Sequence, residues 1–145
     1  MSENQLTSLQ QEWTTLQNQF DSYEKYSLMI KLFNILVTCC LVFVLDLGCW
    51  AIFVCAMIWL QDGIWKTFQA RMGERLEQVE NALAGADLTD SSTLGMQFNS
   101  AWAESRKGAL GLIAEYIKQS LKPTVAYPHV LLIIMILAQC FLLLD

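Results

Sequence analysis

Histidine is nearly absent from this chain of 145 residues, with His129 its sole representative. There is also no CxxC pair and no His-Cys cluster at ligand spacing, so neither a metal centre nor a catalytic thiol is expected. Nucleophile elbows, phosphate-cradling glycine loops and Ser-His-Asp sets are missing too. Gly108-Ala109-Leu110-Gly111 follows no strand and is no nucleotide fingerprint. The chain is therefore not expected to be an enzyme or to hold a cofactor. Charge is scarce as well: 16% of residues are charged against 54% hydrophobic, more apolar than an ordinary soluble domain. The net charge of -5 leaves no excess of Lys and Arg to neutralise phosphates, which excludes extended nucleic-acid binding. Met1 to Tyr26 is Gln-rich and slightly acidic and lacks the basic start and apolar core of a secretory signal, so no cleavage is expected.

The apolar residues concentrate in Leu28 to Leu60 and Val130 to Leu144. As one helix the first stretch would extend about 50 Å, too long for a hydrocarbon core of about 30 Å. Asp46 and Gly48 supply the polar and flexible break near its middle, so two spans are predicted, about Ser27 to Leu45 and Leu47 to Ile64. A hairpin there also keeps Asp46 away from the bilayer centre, where a carboxylate costs roughly 2.5 to 3.5 kcal/mol. Both prolines, Pro123 and Pro128, precede a third span from about His129 to Leu144. All nine Lys and Arg residues lie before Phe33 or between Lys66 and Lys122, which places the N-terminus and the middle region in the cytoplasm. Trp59 and Trp65 at one boundary and Trp50 near the other suit interfacial positions. Cys39, Cys40, Cys55 and Cys140 lie within apolar segments and Cys49 near the turn, where cysteine acts as a small hydrophobe.

The predicted fold is an all-α membrane protein: an N-terminal amphipathic heptad helix over 1–26 and a transmembrane hairpin over 27–64 that turns near 46–48. A cytoplasmic helical region follows over 65–122 with a loop near 85–92, and a third transmembrane helix over 128–145. Leu6, Leu9, Trp13, Leu16, Phe20 and Tyr23 form an unbroken a/d stripe of coiled-coil type, made to pack against another helix and assigned to subunit packing. Trp65, Phe68, Met72, Leu76, Val79 and Leu83 continue the second span as a long helix to about Ala84, a natural partner for that stripe. Asp90, Ser91 or Ser92 could cap the stretch from Thr93 to Leu121, which is helix-compatible and carries Trp102.

Ser27, Lys31, Asn34 and Thr38 recur at helical spacing on the first span, and polar groups in lipid need partners or water. In a ring of identical subunits Lys31, Asn34 and Thr38 could line a pore. Alternatively Lys31 snorkels to the interface while Asn34 and Thr38 bond between helices. Gln61, Asp62, Gln69, Arg71 and Arg75 cluster where the second span leaves the membrane, as an ion-pair girdle or a cytoplasmic vestibule for a ligand. Arg106, Lys107, Lys118 and Lys122 suit topology setting and anionic headgroups, with an anionic nucleotide bound at the same group the sharper alternative and Arg106 and Lys107 among the ligand candidates.

The stretch Trp59-Leu60-Gln61-Asp62-Gly63-Ile64-Trp65-Lys66-Thr67-Phe68-Gln69-Ala70-Arg71, with the order of parts around it, resembles small bacterial RipA-family octameric membrane proteins. The layout is more loosely similar to SLATT-type membrane effectors of phage defence. Asp62, Trp65 and Arg71 look like counterparts of the RipA-family pattern; Gln69 stands where an acidic residue is expected, and the arginine is displaced. The resemblance implies a homo-oligomer in the bacterial inner membrane with a central pathway gated from the cytoplasm. The expected function is that of a channel-like or membrane-perturbing homo-oligomeric effector, its partners the lipid bilayer and other copies of itself. The alternative is a structural or accessory subunit that recruits or braces a different protein.

Overall fold

The computed structural model describes residues 3–85, 95, 96, 98, 99, 103 and 108–142, and every regular element among them is helical. Helix α1 spans Glu3–Cys39 and carries the polar N-terminal residues and the apolar ones in one unbroken run. No proline or glycine lies inside it, so nothing ends it where the sequence reading divides 1–26 from 27–64. It passes into a π-helical turn, Cys40–Val44. Asp46 then reverses the chain with φ 54°, a left-handed conformation that Asp tolerates better than most side chains. Gly48 is thus not the residue that bends. It opens helix α2, Gly48–Leu83, where an added Cβ would stand 3.1 Å from Cys140 Sγ. After residue 108, among the described residues, come α3, Ala109–Ser120; α4, Pro123–Ala126; and α5, His129–Leu142. The Tyr127-Pro128 peptide bond is cis. The expected caps Asp90, Ser91 and Ser92, most of the loop near 85–92, Trp102, Leu144 and Asp145 lie outside the described residues.

The chain forms two compact units, one of Met1–Glu24 with Phe68–Leu112 and one of Lys25–Thr67 with Ile113–Asp145. The second unit therefore claims 113–122, which the sequence reading groups with the region from 65. Its hold on that segment is physical: Gly63 meets the Ser120 side chain so closely that any Cβ at 63 would collide with it, and Trp59 Nε1 donates to the Ser120 carbonyl at 3.0 Å.

In the first unit the heptad stripe is used within the chain. Leu9 packs with Val79 and Ala82, and Leu16 with Met72 and Leu76, flanked by Trp13, Phe20 and Tyr23. Partner numbers fall as those of α1 rise, so the two helices run antiparallel here. The assignment of Leu9, Trp13, Leu16, Phe20 and Tyr23 to packing between subunits is corrected accordingly: a helix of the same chain covers them, and only Leu6 stays exposed, at 39%. Across this seam Arg75 grips Glu12 with two bonds, Nε to Oε1 at 2.9 Å and Nη2 to Oε2 at 3.2 Å, both residues being buried. The Met96 amide adds a third bond to Glu12 Oε2 at 2.7 Å.

The second unit has little apolar interior. Val42, Ala51 and Ile136 form its small core, while Leu28, Phe33, Leu36, Phe43, Phe53 and Met135 are exposed. With the π-helical turn, α1 is long and apolar enough to cross a membrane, and only 22% of its most apolar window is buried. That helix is thus not hidden as the core helix of a water-soluble domain is. Helix α5 is a shorter apolar helix.

Removing one partner of a buried, doubly bonded ion pair leaves the other charge uncompensated. Arg75→Ala is expected to cost about 3–5 kcal/mol, against about 0.5 kcal/mol or less for Glu77→Ala at an exposed α2 position. Denaturation of the purified chain in detergent, followed by circular dichroism, measures both.

Candidate functional site

Spacings of four, three and four put Ser27, Lys31, Asn34 and Thr38 on one face of α1. Spacings of four and three do the same for Cys55, Trp59 and Asp62 on α2, and α5 contributes its first residue, His129. These side chains meet inside the second unit. Ser27, Asn34, Cys55, Asp62 and His129 are completely buried there, and Thr38 nearly so.

Asp62 is the hub. Ser27 Oγ donates to its Oδ1 at 2.7 Å, His129 Nε2 lies 3.4 Å from its Oδ2, and Lys31 Nζ lies 3.9 Å from the same oxygen. An isolated buried carboxylate is strongly disfavoured, and this set of a hydroxyl, an imidazole and an ammonium is what offsets the loss of water. Lys31 has the shortest link to the neighbouring chain segment, donating to the Thr124 carbonyl at 2.7 Å. On the far side of the imidazole, Asn34 Nδ2 stands 2.6 Å from His129 Nδ1. An amide nitrogen only donates, so in this network Nδ1 accepts and Nε2 carries the hydrogen that points to Asp62. Asn34 Nδ2 also reaches Cys55 Sγ at 3.2 Å, and Thr38 Oγ1 donates to Asn34 Oδ1 at 3.4 Å. The Trp59 indole is near-parallel to the imidazole, centroids 6.4 Å apart.

The arrangement joins α1, α2 and α5 through one carboxylate and one imidazole. The Cys55 thiol donates to the His129 main-chain carbonyl at 3.7 Å, and neither Asp62 nor His129 has exposed surface. Among the described residues no three His, Cys, Asp or Glu side chains are grouped to hold a metal.

The structure brings Lys31, Asn34 and Thr38 together as the spacing suggests but turns them into the interior of one chain. Of the two readings of this face, the contacts are those of the interhelical one: Lys31 reaches Asp62 and the Thr124 carbonyl, Asn34 reaches His129 and Cys55, and Thr38 donates to Asn34. Of the residues expected in a girdle or vestibule, Asp62 belongs to the second unit and Gln69, Arg71 and Arg75 to the first. There Gln69 donates to Glu24 Oε2 at 2.7 Å, Arg71 lies over the Phe68 ring, and Arg75 is bound to Glu12. Arg106 and Lys107 lie outside the described residues. The centre also holds residues that sequence reasoning passed over: His129, set aside as a residue of the span boundary, Cys55 and Ser120. Asp62 in otherwise apolar surroundings and a single histidine just after Pro128 were the available signals.

If Asp62 is the hub, Asp62→Ala strands both Lys31 and His129 and should cost about 3–5 kcal/mol, while Ser27→Ala should cost about 1 kcal/mol. Unfolding in mixed micelles of dodecyl maltoside and dodecyl sulfate compares them. Equal losses would remove Asp62 from its central role.

Comparison with protein-family models, with curated proteins and with solved structures found no match to this chain.

Proposed function

We propose that this protein is a non-enzymatic, multi-pass helical protein of the bacterial inner membrane, with its N-terminus in the cytoplasm, acting as a channel-like or membrane-perturbing homo-oligomer. The observation that carries this reading is the inverted polarity of the second unit: large apolar side chains face outward while an aspartate and a histidine are fully buried with a half-buried lysine beside them. In water that arrangement forfeits the hydrophobic driving force; in lipid it satisfies each polar group and leaves the apolar surface in its proper solvent. The three proposed spans are the apolar part of α1, the first half of α2, and α5. Ionisable groups inside a membrane mark working sites by default. Here the Lys31, Asp62 and His129 clasp holds the three spans closed, and its release is the proposed gating step. Kinship with RipA-type octameric membrane proteins belongs to the same proposal.

Self-association draws support from Gln139. Its amide lies on the apolar helix α5 beside a shallow groove lined by Thr38, Cys39, Phe43, Met135 and Ile136. Among the described residues nothing hydrogen-bonds to it. An amide in lipid finds its partner across helices, and the same amide on a second copy is such a partner.

The chain is expected to stay in the membrane pellet after carbonate extraction and, in liposomes, to pass monovalent ions at a low rate that Asp62→Asn raises about tenfold or more. Liposomes no leakier than protein-free ones with either protein would remove the channel-like reading. Native mass spectrometry in detergent should show a homo-oligomer that Gln139→Leu shifts to smaller species. A stoichiometric foreign protein in that complex would favour the accessory-subunit reading instead.

A further inference from the structure

Helix α3 shows two unlike faces. One is fixed: Ser120 is buried against Gly63, its carbonyl receives the Trp59 indole N–H, and its hydroxyl donates to the Tyr116 carbonyl at 2.8 Å. The other is open. Ile113 and Ile117, and Leu121 in the turn that continues the helix just past its end, are 51%, 51% and 64% exposed, with Ala114 exposed among them. At 100° per residue they cover a strip about 100° wide, and Lys118 and Lys122 border it on one side. Both lysines are exposed, and among the described residues neither has an ion-pair partner. Glu115, the acid of this helix, is half-buried and engaged within the chain. An apolar strip with a cationic border and an anchored back is the profile of a helix lying in a membrane surface.

The surroundings of α3 within the second unit say what covers the strip. Its C-terminal end is tied by Trp59, and just beyond it Thr124 receives Lys31 Nζ, so this end sits level with the outermost groups of the polar centre. Exposed Tyr127 follows. Tyr26, also exposed, meets Trp65 edge to face at 5.8 Å. Indole, phenol and ammonium groups near one end of the spans are the kind found where hydrocarbon gives way to headgroups. Leu28, Leu32 and Leu36 of α1, in the same unit, are exposed as well.

We infer that α3 lies in the cytoplasmic membrane interface and is a binding surface for anionic lipid, Ile113, Ile117 and Leu121 entering the acyl boundary while Lys118 and Lys122 contact headgroup phosphates. This rests on the membrane reading above. It assigns those two lysines a ligand chemistry, a phosphodiester or phosphomonoester on a lipid.

The full chain carrying p-benzoylphenylalanine in place of Ile117 tests it, irradiated in nanodiscs of phosphatidylglycerol mixed equally with phosphatidylcholine and analysed by intact mass spectrometry. The expected product is a protein–lipid adduct enriched in phosphatidylglycerol, absent when the same probe replaces exposed Glu77 on the first unit. Lys118→Gln and Lys122→Gln should each lower the phosphatidylglycerol preference about fivefold. A covalent dimer at Ile117 would overturn the inference in favour of a second copy over the strip. Adducts drawn equally from both lipids would overturn the headgroup assignment. No adduct from a chain that resists carbonate extraction overturns the inference alone, whereas release by carbonate overturns the membrane reading along with it.

Discussion

The polar centre of the second unit is arranged around one carboxylate shielded from solvent. Asp62 has no exposed surface, so it can be tolerated only where a hydroxyl, an imidazole and an ammonium converge on it, and those groups come from three different parts of the chain. That requirement sets how α1 faces α2: Ser27 must lie opposite Asp62, which carries Asn34 to Cys55 along the same antiparallel register. It also decides where α5 starts, since the imidazole of its first residue must fit between Asp62 and Asn34. The close approach of Gly63 to Ser120 and the bond from Lys31 to the Thr124 carbonyl then bring α3 and the short helix after it to the same place.

The two units meet opposite demands with the same two long helices. In the first, apolar side chains at heptad spacing are covered by the partner helix and a doubly bonded Glu12–Arg75 pair sits in the seam, as in an ordinary water-soluble helix pair. In the second, the seam is polar and the outside apolar. Helix propensity is indifferent to this exchange, which is why α1 and α2 continue unbroken through it. For the proposed function the consequence is that the ionisable groups are held between spans rather than displayed on a surface. A change in their bonding acts on helix packing.

Sequence periodicity made the helices readable and, for the heptad stripe, the partner too: the second stripe, with Met72, Leu76 and Val79, is the one that covers Leu9 and Leu16. What the a/d spacing did not give is whether the pairing lies within one chain or between two. The face of Ser27, Lys31, Asn34 and Thr38 posed the same ambiguity between an aqueous path and an interhelical seam. His129 was invisible as a site residue because its partners lie 67 and 95 positions away.

By itself, then, the sequence determined what depends on neighbours along the chain: helical elements, the turn at Asp46, a second long helix ending near Leu83, and apolar runs too long for a small soluble core. These follow from local backbone preference and from side-chain period, both set within a few residues. Tertiary structure decided the meetings that no stripe announced. It placed the heptad pairing within one chain, brought Lys31 to Asp62 and His129, joined residues from 113 onward to the hairpin, and left the strip of α3 open. Those outcomes depend on the distance between groups remote in sequence, and on the cost of leaving a charge or an amide without a partner, and neither quantity is written in the spacing of residues along one helix.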